Sequence, residues 1–343
     1  MKLSVFRLAL AALITATHVA AIRTLSQVTI FTPPQNYTDP QVLFARTAEL
    51  PNHDLLATWE NYSPEPPPVY FPIYRSRDSG TTWTEISRVQ DQGYGYGLRY
   101  QPFLYVLPKA IGKYPAGTEF LSHVAAGGEA IPDNGLTPVW EPFLLLHAGK
   151  LIFYYSDQRD PAHGQKLVHQ TSTDLKTWSG VVDDISYPTY TDRPGLASVA
   201  ALPNGQYIYT YEYGGGPNPN ATGYTFPVYY RLSSDPENFI DAEHHLLQSS
   251  DGTVPNGSPY VVWTPAGGIN GTIVVSSGCC TPVYVNKALG AEGAWQTLST
   301  PEGVSYTRSL RVFQEDPRYV LIAGAGQLPP STTNKVTISV IKV

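Results

Sequence analysis

Charge is scarce in this 343-residue chain: charged residues make up 15% of it and the net charge is −6. That excludes the basic face a nucleic-acid partner demands. Cysteine is scarcer still, with only the adjacent pair Cys279 and Cys280. With no His or Cys at ligand spacing they cannot build a zinc site, and neither metal nor cofactor is expected. A bond between neighbours closes no loop and adds little chain-entropy stabilisation, yet an oxidising compartment favours a vicinal disulfide. Beyond the first 21 residues no apolar run approaches the roughly 18–20 residues of a membrane helix, so no membrane partner is expected. Nor does any later segment hold a 3.6-residue period over about 12 residues, which excludes a helical architecture.

The N-terminus "MKLSVFRLALAALITATHVAA" has basic residues, a short apolar core and small residues at its end. It reads as a secretory signal peptide (1–21) cleaved after Ala21, leaving 22–343 as one extracellular, monomeric domain. The sequons at Asn36, Asn61, Asn220 and Asn270 suit surface loops of a secreted protein. Tyr (24), Gly (29) and Pro (31) are abundant, a composition for short strands, tight turns and aromatic surfaces that meet sugars.

Between the β-like runs "PVYFPIY" and "TEISRV" stands "SRDSGTTW" (76–83). Asp78 is placed to accept backbone N–H groups across the turn, Gly80 to take positive φ, and Trp83 to fold back as a plug, so the motif is a structural staple. Echoes follow at "TSTDLKTW" (Ser172, Asp174, Trp178), "LSSDPENF" (Ser233, Asp235, Phe239) and "VNKALGAEGAW", which ends on Trp295 and has lost the acid. Apolar hairpins recur at 41–60, 141–156, 196–212, 258–277 and 308–326, and a sixth begins at 101–118. Hairpins with staples at this spacing predict an all-β, six-bladed β-propeller, with "QVTIFTPP" (27–34) closing the ring on the last blade. The second blade is short. Its hairpin starts near residue 101 and the next near 141, so it falls about 30 residues below a full repeat and is expected to be truncated; a mis-spliced gene model accounts for such a loss.

The two ends of a hairpin lie at one end of its blade, and that rule sorts the carboxylates. Glu141 begins the first strand of its hairpin in "VWEPFLLL", and Glu212 ends the second strand of the next in "YIYTYEYGGG". Both face the same end of the ring, as do Asp157, Arg159, Arg193 and Glu60. Two opposed carboxylates beside a central pit are what glycoside hydrolysis requires, one ionised and one protonated. Arg159 or Arg193 is placed to keep one charged. Trp140, Tyr211, Tyr213 and Tyr260 offer stacking surfaces, and Cys279-Cys280 a flat apolar wall.

The stretches "NGLTPVWEPFL", "YYSDQRD", "RPGLASVAALPNGQYIYTYE" and "SRDSGTTW" closely resemble the fungal exo-arabinanases of glycoside hydrolase family 93, over nearly all of the chain after residue 21. The resemblance implies a sialidase-like six-bladed propeller and retaining cleavage of linear α-1,5-L-arabinan from its non-reducing end, releasing arabinobiose. It makes Glu141 the nucleophile and Glu212 the acid/base; from their placement or aromatic character, Trp140, Asp157, Arg159, Arg193, Tyr211 and Tyr260 are the expected substrate contacts. The short second blade departs from the family pattern and bears on ring closure and on activity. Two rivals remain. A sialidase would need three convergent arginines, to be drawn from Arg99, Arg159, Arg193, Arg308 and Arg311, and a Tyr nucleophile. A non-catalytic lectin would need no opposed glutamates.

Overall fold

In the computed structural model, which describes residues 22–91, 97–107 and 138–343, the strands form five antiparallel four-stranded sheets. Strand β1 (Leu25–Phe31) stands apart from its neighbours in sequence. The first blade holds β2 (Val42–Glu49), β3 (Leu55–Asn61), β4 (Phe71–Ser76) and β5 (Thr84–Val89). The next holds β6 (Val139–His147), β7 (Lys150–Asp157), β8 (Lys166–Ser172) and β9 (Val182–Ile185). A third holds β10 (Arg193–Ala201), β11 (Tyr207–Gly214), β12 (Val228–Ser233) and β13 (His244–Leu246), and a fourth β14 (Tyr260–Thr264), β15 (Thr272–Ser276), β16 (Val283–Asn286) and β17 (Trp295–Leu298). In the last, β18 (Ser309–Val312), β19 (Tyr319–Gly324) and β20 (Val336–Lys342) are completed by β1, which pairs with β20. The propeller and its N-terminal closing strand are as expected.

The blade count is not. Among the described residues five blades are built where six were expected, and the place of the second is taken by 97–107, which carries no strand assignment; the rest of that hairpin, 108–118, lies outside the described residues. The ring is nevertheless spanned there. Leu104 and Val106 pack on Ala48, Leu56 and Ile73 of the first blade. Tyr105 and Leu107 pack on Leu144, Leu146 and Leu151 of the following one, and Phe103 meets Phe143 edge-on at 5.4 Å. Alternate side chains thus serve opposite neighbours, as an innermost strand's would. The inner strands β6, β10, β14, β18 and β2 otherwise touch in turn. Every residue of β2 and β3 is buried, polar Arg46, Thr47, Glu49, Thr58, Glu60 and Asn61 included.

The staples hold as drawn. Ser76 Oγ donates to Asp78 Oδ1 at 2.8 Å and accepts the Gly80 N–H at 2.9 Å, while Asp78 Oδ1 accepts the Thr82 N–H at 2.8 Å. Gly80 sits at φ +93°, and a Cβ there would stand 2.8 Å from Ile338 Cδ1 on the closing blade. Only glycine satisfies both conditions. In the last echo Asn286 replaces the acid: its Oδ1 accepts the N–H groups of Ala288 and Gly290 at 2.8 and 3.0 Å.

Cys279 and Cys280 are joined in a vicinal disulfide. Of the sequons, Asn36 and Asn220 are exposed, but Asn61 is buried at the end of β3 and Asn270 half-buried. Asn61 is therefore not the surface-loop site its motif suggested.

Candidate active site

Five residues that open inner segments, at one end of the ring, have left-handed backbones: Phe44 (φ +54°), Gln101 (+53°), Glu141 (+64°), Leu196 (+55°) and Ser258 (+48°). At Glu141 and Leu196 the ladder slips by a bulge, between Trp140 and Phe143 and between Gly195 and Ser198. A bulge re-aims the side chain and frees the local N–H from the ladder, and such strain gathers at working sites. The freed N–H groups turn toward carboxylates. Leu196 donates to Glu141 Oε2 at 2.7 Å, Ser258 to Glu212 Oε2 at 2.7 Å and Gln101 to Glu60 Oε1 at 3.0 Å.

Glu141 and Glu212 come together across Gly195. A Cβ built on that glycine would lie 3.2 Å from Glu141 Oε2 and 3.2 Å from Glu212 Oε1, so these oxygens are no more than twice 3.2 Å apart. Any side chain at 195 would fill the space between the two acids.

Their surroundings differ. Glu141 also accepts the Ser156 hydroxyl at 2.6 Å, and the Arg193 charge and the Tyr306 hydroxyl favour its ionised form. Burial still raises its pKa above the usual carboxylate range. Glu212 is pushed up to about 8, first by burial and next by the charge of Glu141, against weaker help from Ser258 and Arg193. Burial and the Glu141 charge thus favour the protonated form of Glu212, while Ser156, the Leu196 N–H, Arg193 and Tyr306 favour the ionised form of Glu141. Glu60 is pushed up to about 7 by burial, although it accepts the Tyr62 hydroxyl at 2.8 Å.

The expected substrate contacts divide. Arg193 approaches both acids, and its guanidinium donates to Gln165 Oε1 at 3.2 Å. Arg159 is committed elsewhere, doubly bonded to the buried Asp157 at 2.9 and 2.7 Å and bonded to Tyr155 at 2.9 Å. Trp140 is half-buried and edge-on to Tyr100, itself 51% exposed, so the pair makes an aromatic rim beside Glu141. Tyr260 is buried, edge-on to Phe143 with the Arg46 guanidinium 5.5 Å from its ring. Tyr211 offers no stacking face: it is wholly buried and its hydroxyl meets that of Tyr187 at 2.7 Å. Tyr213 lies ring on ring with Tyr187 at 3.8 Å. The disulfide loop is beside the site, with Gly278 and Cys279 bonded to Gly257 and Asn256 just ahead of Ser258. Sequence reading missed Gln101, Ser156, Gln165, Ser258, Tyr306 and Arg46. Among the described residues no group of three or more His, Cys, Asp or Glu is arranged to hold a metal.

Acids whose pKa values burial raises set the direction of the protein's pH-stability, Glu141 and Glu302 among them. Glu212 (about 8), Glu60 (about 7) and Asp184 (about 6, raised by burial) all bind protons more tightly folded than unfolded. Raised folded-state values mean stability that is present at low pH and lost as pH rises through them. The melting temperature is expected to fall between pH 5 and pH 8; a rise across that interval would contradict these assignments.

A propeller whose mouth holds a buried and a half-buried glutamate in unlike environments has the site of a glycoside hydrolase. The chain is 56% identical to an α-L-arabinofuranosidase from Fusarium graminearum, solved with an iminosugar inhibitor and with arabinobiose, over 93% of this chain and 98% of that one, with a TM-score of 0.91. It is 54% identical to the Penicillium chrysogenum α-L-arabinanase solved with arabinobiose, over 94% and 99% of the two chains, at a TM-score of 0.89. The chain belongs to glycoside hydrolase family 93. A Streptococcus pneumoniae sialidase, NanB, is 10% identical at a TM-score of 0.51, over 93% of this chain and 70% of that one, a likeness of fold alone. No protein-family model and no curated protein matches the sequence.

Proposed function

We propose that this protein is a secreted, exo-acting α-L-arabinanase that releases arabinobiose from the non-reducing end of linear α-1,5-L-arabinan with retention at the anomeric carbon. The observation that carries the reading is the pair Glu141–Glu212, with oxygens no more than twice 3.2 Å apart across Gly195. That bound is compatible with the roughly 5–5.5 Å carboxyl separation of retaining enzymes; retention is carried over from the family resemblance. The substrate and its disaccharide product are carried over from the arabinobiose complexes of the Fusarium and Penicillium relatives. Secretion rests on the N-terminal sequence and on the disulfide.

The proposed reaction has two steps. Glu212 gives its proton to the glycosidic oxygen as Glu141 attacks C1 of the arabinofuranose, so the C1–O bond breaks and a glycosyl ester of Glu141 forms. Glu212, now ionised, takes a proton from water as that water attacks C1. The ester opens, Glu141 leaves as carboxylate and Glu212 regains its proton. Ser156, the Leu196 N–H and Arg193 stabilise the Glu141 charge before attack and after release.

The sialidase reading finds no three-arginine cluster among the described residues. Arg308 is fully buried on the carbonyls of Ser277, Thr281 and Pro282; Arg311 holds the Thr47 carbonyl; Arg99 pairs with Glu65.

Chromatography of a linear arabinan digest is expected to give arabinobiose as the first and dominant product. Proton NMR in the first minutes is expected to show the α-anomer ahead of mutarotation. Arabinose alone, or an inverted first anomer, would refute the proposal.

A further inference from the structure

We infer that Gln101 is a positioning residue for Glu141, and that Glu60, Gln101 and Glu141 form a relay carrying the nucleophile's placement across the short second sector. The inference rests on the reading of Glu141 as nucleophile.

The relay repeats a pattern seen in three inner segments. At Gln101, Leu196 and Ser258 the left-handed backbone N–H donates to a carboxylate of the preceding sector: Gln101 to Glu60 at 3.0 Å, Leu196 to Glu141 at 2.7 Å, Ser258 to Glu212 at 2.7 Å. Glu141 extends the pattern. Its N–H donates to the carboxamide oxygen of Gln101 at 2.5 Å. The two donors also stand in matching sequence, "QPFL" at 101–104 and "EPFL" at 141–144, at φ +53° and +64°. Gln101 thus occupies in its sector the position that Glu141 occupies in the next, though no strand is assigned around it. Its segment is anchored by Leu104 and Val106 on one side and by Phe103 and Tyr105 on the other, and the Tyr105 hydroxyl accepts the Leu146 N–H at 3.1 Å.

Neutrality at 101 has a reason. Glu60, Glu141 and Glu212 already crowd this end of the ring. The groups facing Glu141 are Arg193, the Tyr306 hydroxyl and Glu212, with the buried Arg46 within electrostatic reach. A fourth carboxylate in hydrogen-bond contact with the Glu141 backbone would raise the cost of ionising the nucleophile. An amide provides the same acceptor oxygen without the charge.

The test compares Gln101→Ala and Gln101→Glu with the wild type on linear arabinan and on p-nitrophenyl α-L-arabinofuranoside, beside thermal melts and a crystal structure of Gln101→Ala. Alanine removes the acceptor. With displacements near 1 Å costing about 100-fold, kcat is expected to fall about 10- to 100-fold at unchanged KM, with the Glu141 carboxylate displaced in the crystal. Glutamate keeps the acceptor and adds charge, so the acidic limb of kcat/KM is expected to move to higher pH with the melting temperature held. Gln101→Ala turnover within twofold of wild type, or an unmoved Glu141 in its crystal structure, overturns the relay. Should Gln101→Ala not fold, the acidic limb of Gln101→Glu decides: a shift supports the relay and a wild-type limb overturns it. A wild type that leaves arabinan intact refutes the proposed function instead, and the relay is then judged on the Glu141 position in the crystal.

Discussion

Glu141→Ala is expected to lower kcat on linear α-1,5-L-arabinan by about 10⁴-fold or more, the scale seen when a covalent nucleophile is deleted, without lowering the melting temperature. Loss of rate follows from chemistry: Glu141 is the carboxylate that faces Glu212 across Gly195. Unchanged stability follows from a balance. The deletion leaves the Ser156 hydroxyl and the Leu196 N–H without their acceptor, at about 1–3 kcal/mol for each buried group so stranded. Against this stands relief from burying a carboxylate beside Glu212, where desolvation of charge outweighs what pairing returns. Glu141→Gln keeps an acceptor oxygen and should melt no lower than wild type, with the same loss of rate. Since the Glu141 charge is the second cause of the raised Glu212 pKa, both variants should also bring the Glu212 titration down from about 8, measurable by carboxyl-labelled NMR. More than a tenth of wild-type turnover in either variant would exclude Glu141 as nucleophile.

Five hairpins, the closing strand and the staples were legible because each rests on local rules. An apolar run covered on both faces needs no partner to be recognised, and the Ser-Asp-Gly spacing of 76–80 closes its own hydrogen bonds. Hairpin geometry puts the start of β6 and the end of β11, and so Glu141 and Glu212, at one end of the ring; their roles came from the family resemblance. Tyr211 was misread for want of the same care. It neighbours Glu212 in β11, and successive strand residues face opposite ways, so a site-facing Glu212 sends Tyr211 into the core. Asn61 was misread because a sequon registers sequence and not the burial of a strand end. Arg46 and Tyr306 lie far apart in sequence and meet the acids only once the ring is closed, which no local pattern encodes. Gln101 was within reach: "QPFL" beside "EPFL" is a visible repeat. Its meaning depended on the left-handed backbone that turns its N–H toward the preceding sector. The six-blade count came from hairpin starts, and a start at residue 101 does not require the strands that would complete a blade.

Glu212→Ala is expected to separate the two steps of the reaction. On arabinan, whose leaving alcohol needs a proton, kcat should fall by about 10²–10⁴-fold, the worth of a positioned general acid and base. On p-nitrophenyl α-L-arabinofuranoside the leaving phenolate needs no proton, so formation of the Glu141 ester should persist while its hydrolysis, deprived of the base, becomes limiting. A burst of nitrophenol followed by slow turnover is the expected trace. Azide should restore turnover, because it attacks C1 without needing deprotonation and leaves as the glycosyl azide while Glu141 is released. The pH profile supplies a second check. In the wild type the required form of Glu212 is protonated, and with its pKa raised to about 8 by burial and by the Glu141 charge, kcat/KM on arabinan should hold through neutrality and fall above about pH 8. That alkaline limb should vanish in Glu212→Ala on the aryl glycoside. If the limb survives the substitution, the falling rate belongs to another group; if azide restores nothing and no burst is seen, Glu212 does not serve as the acid/base.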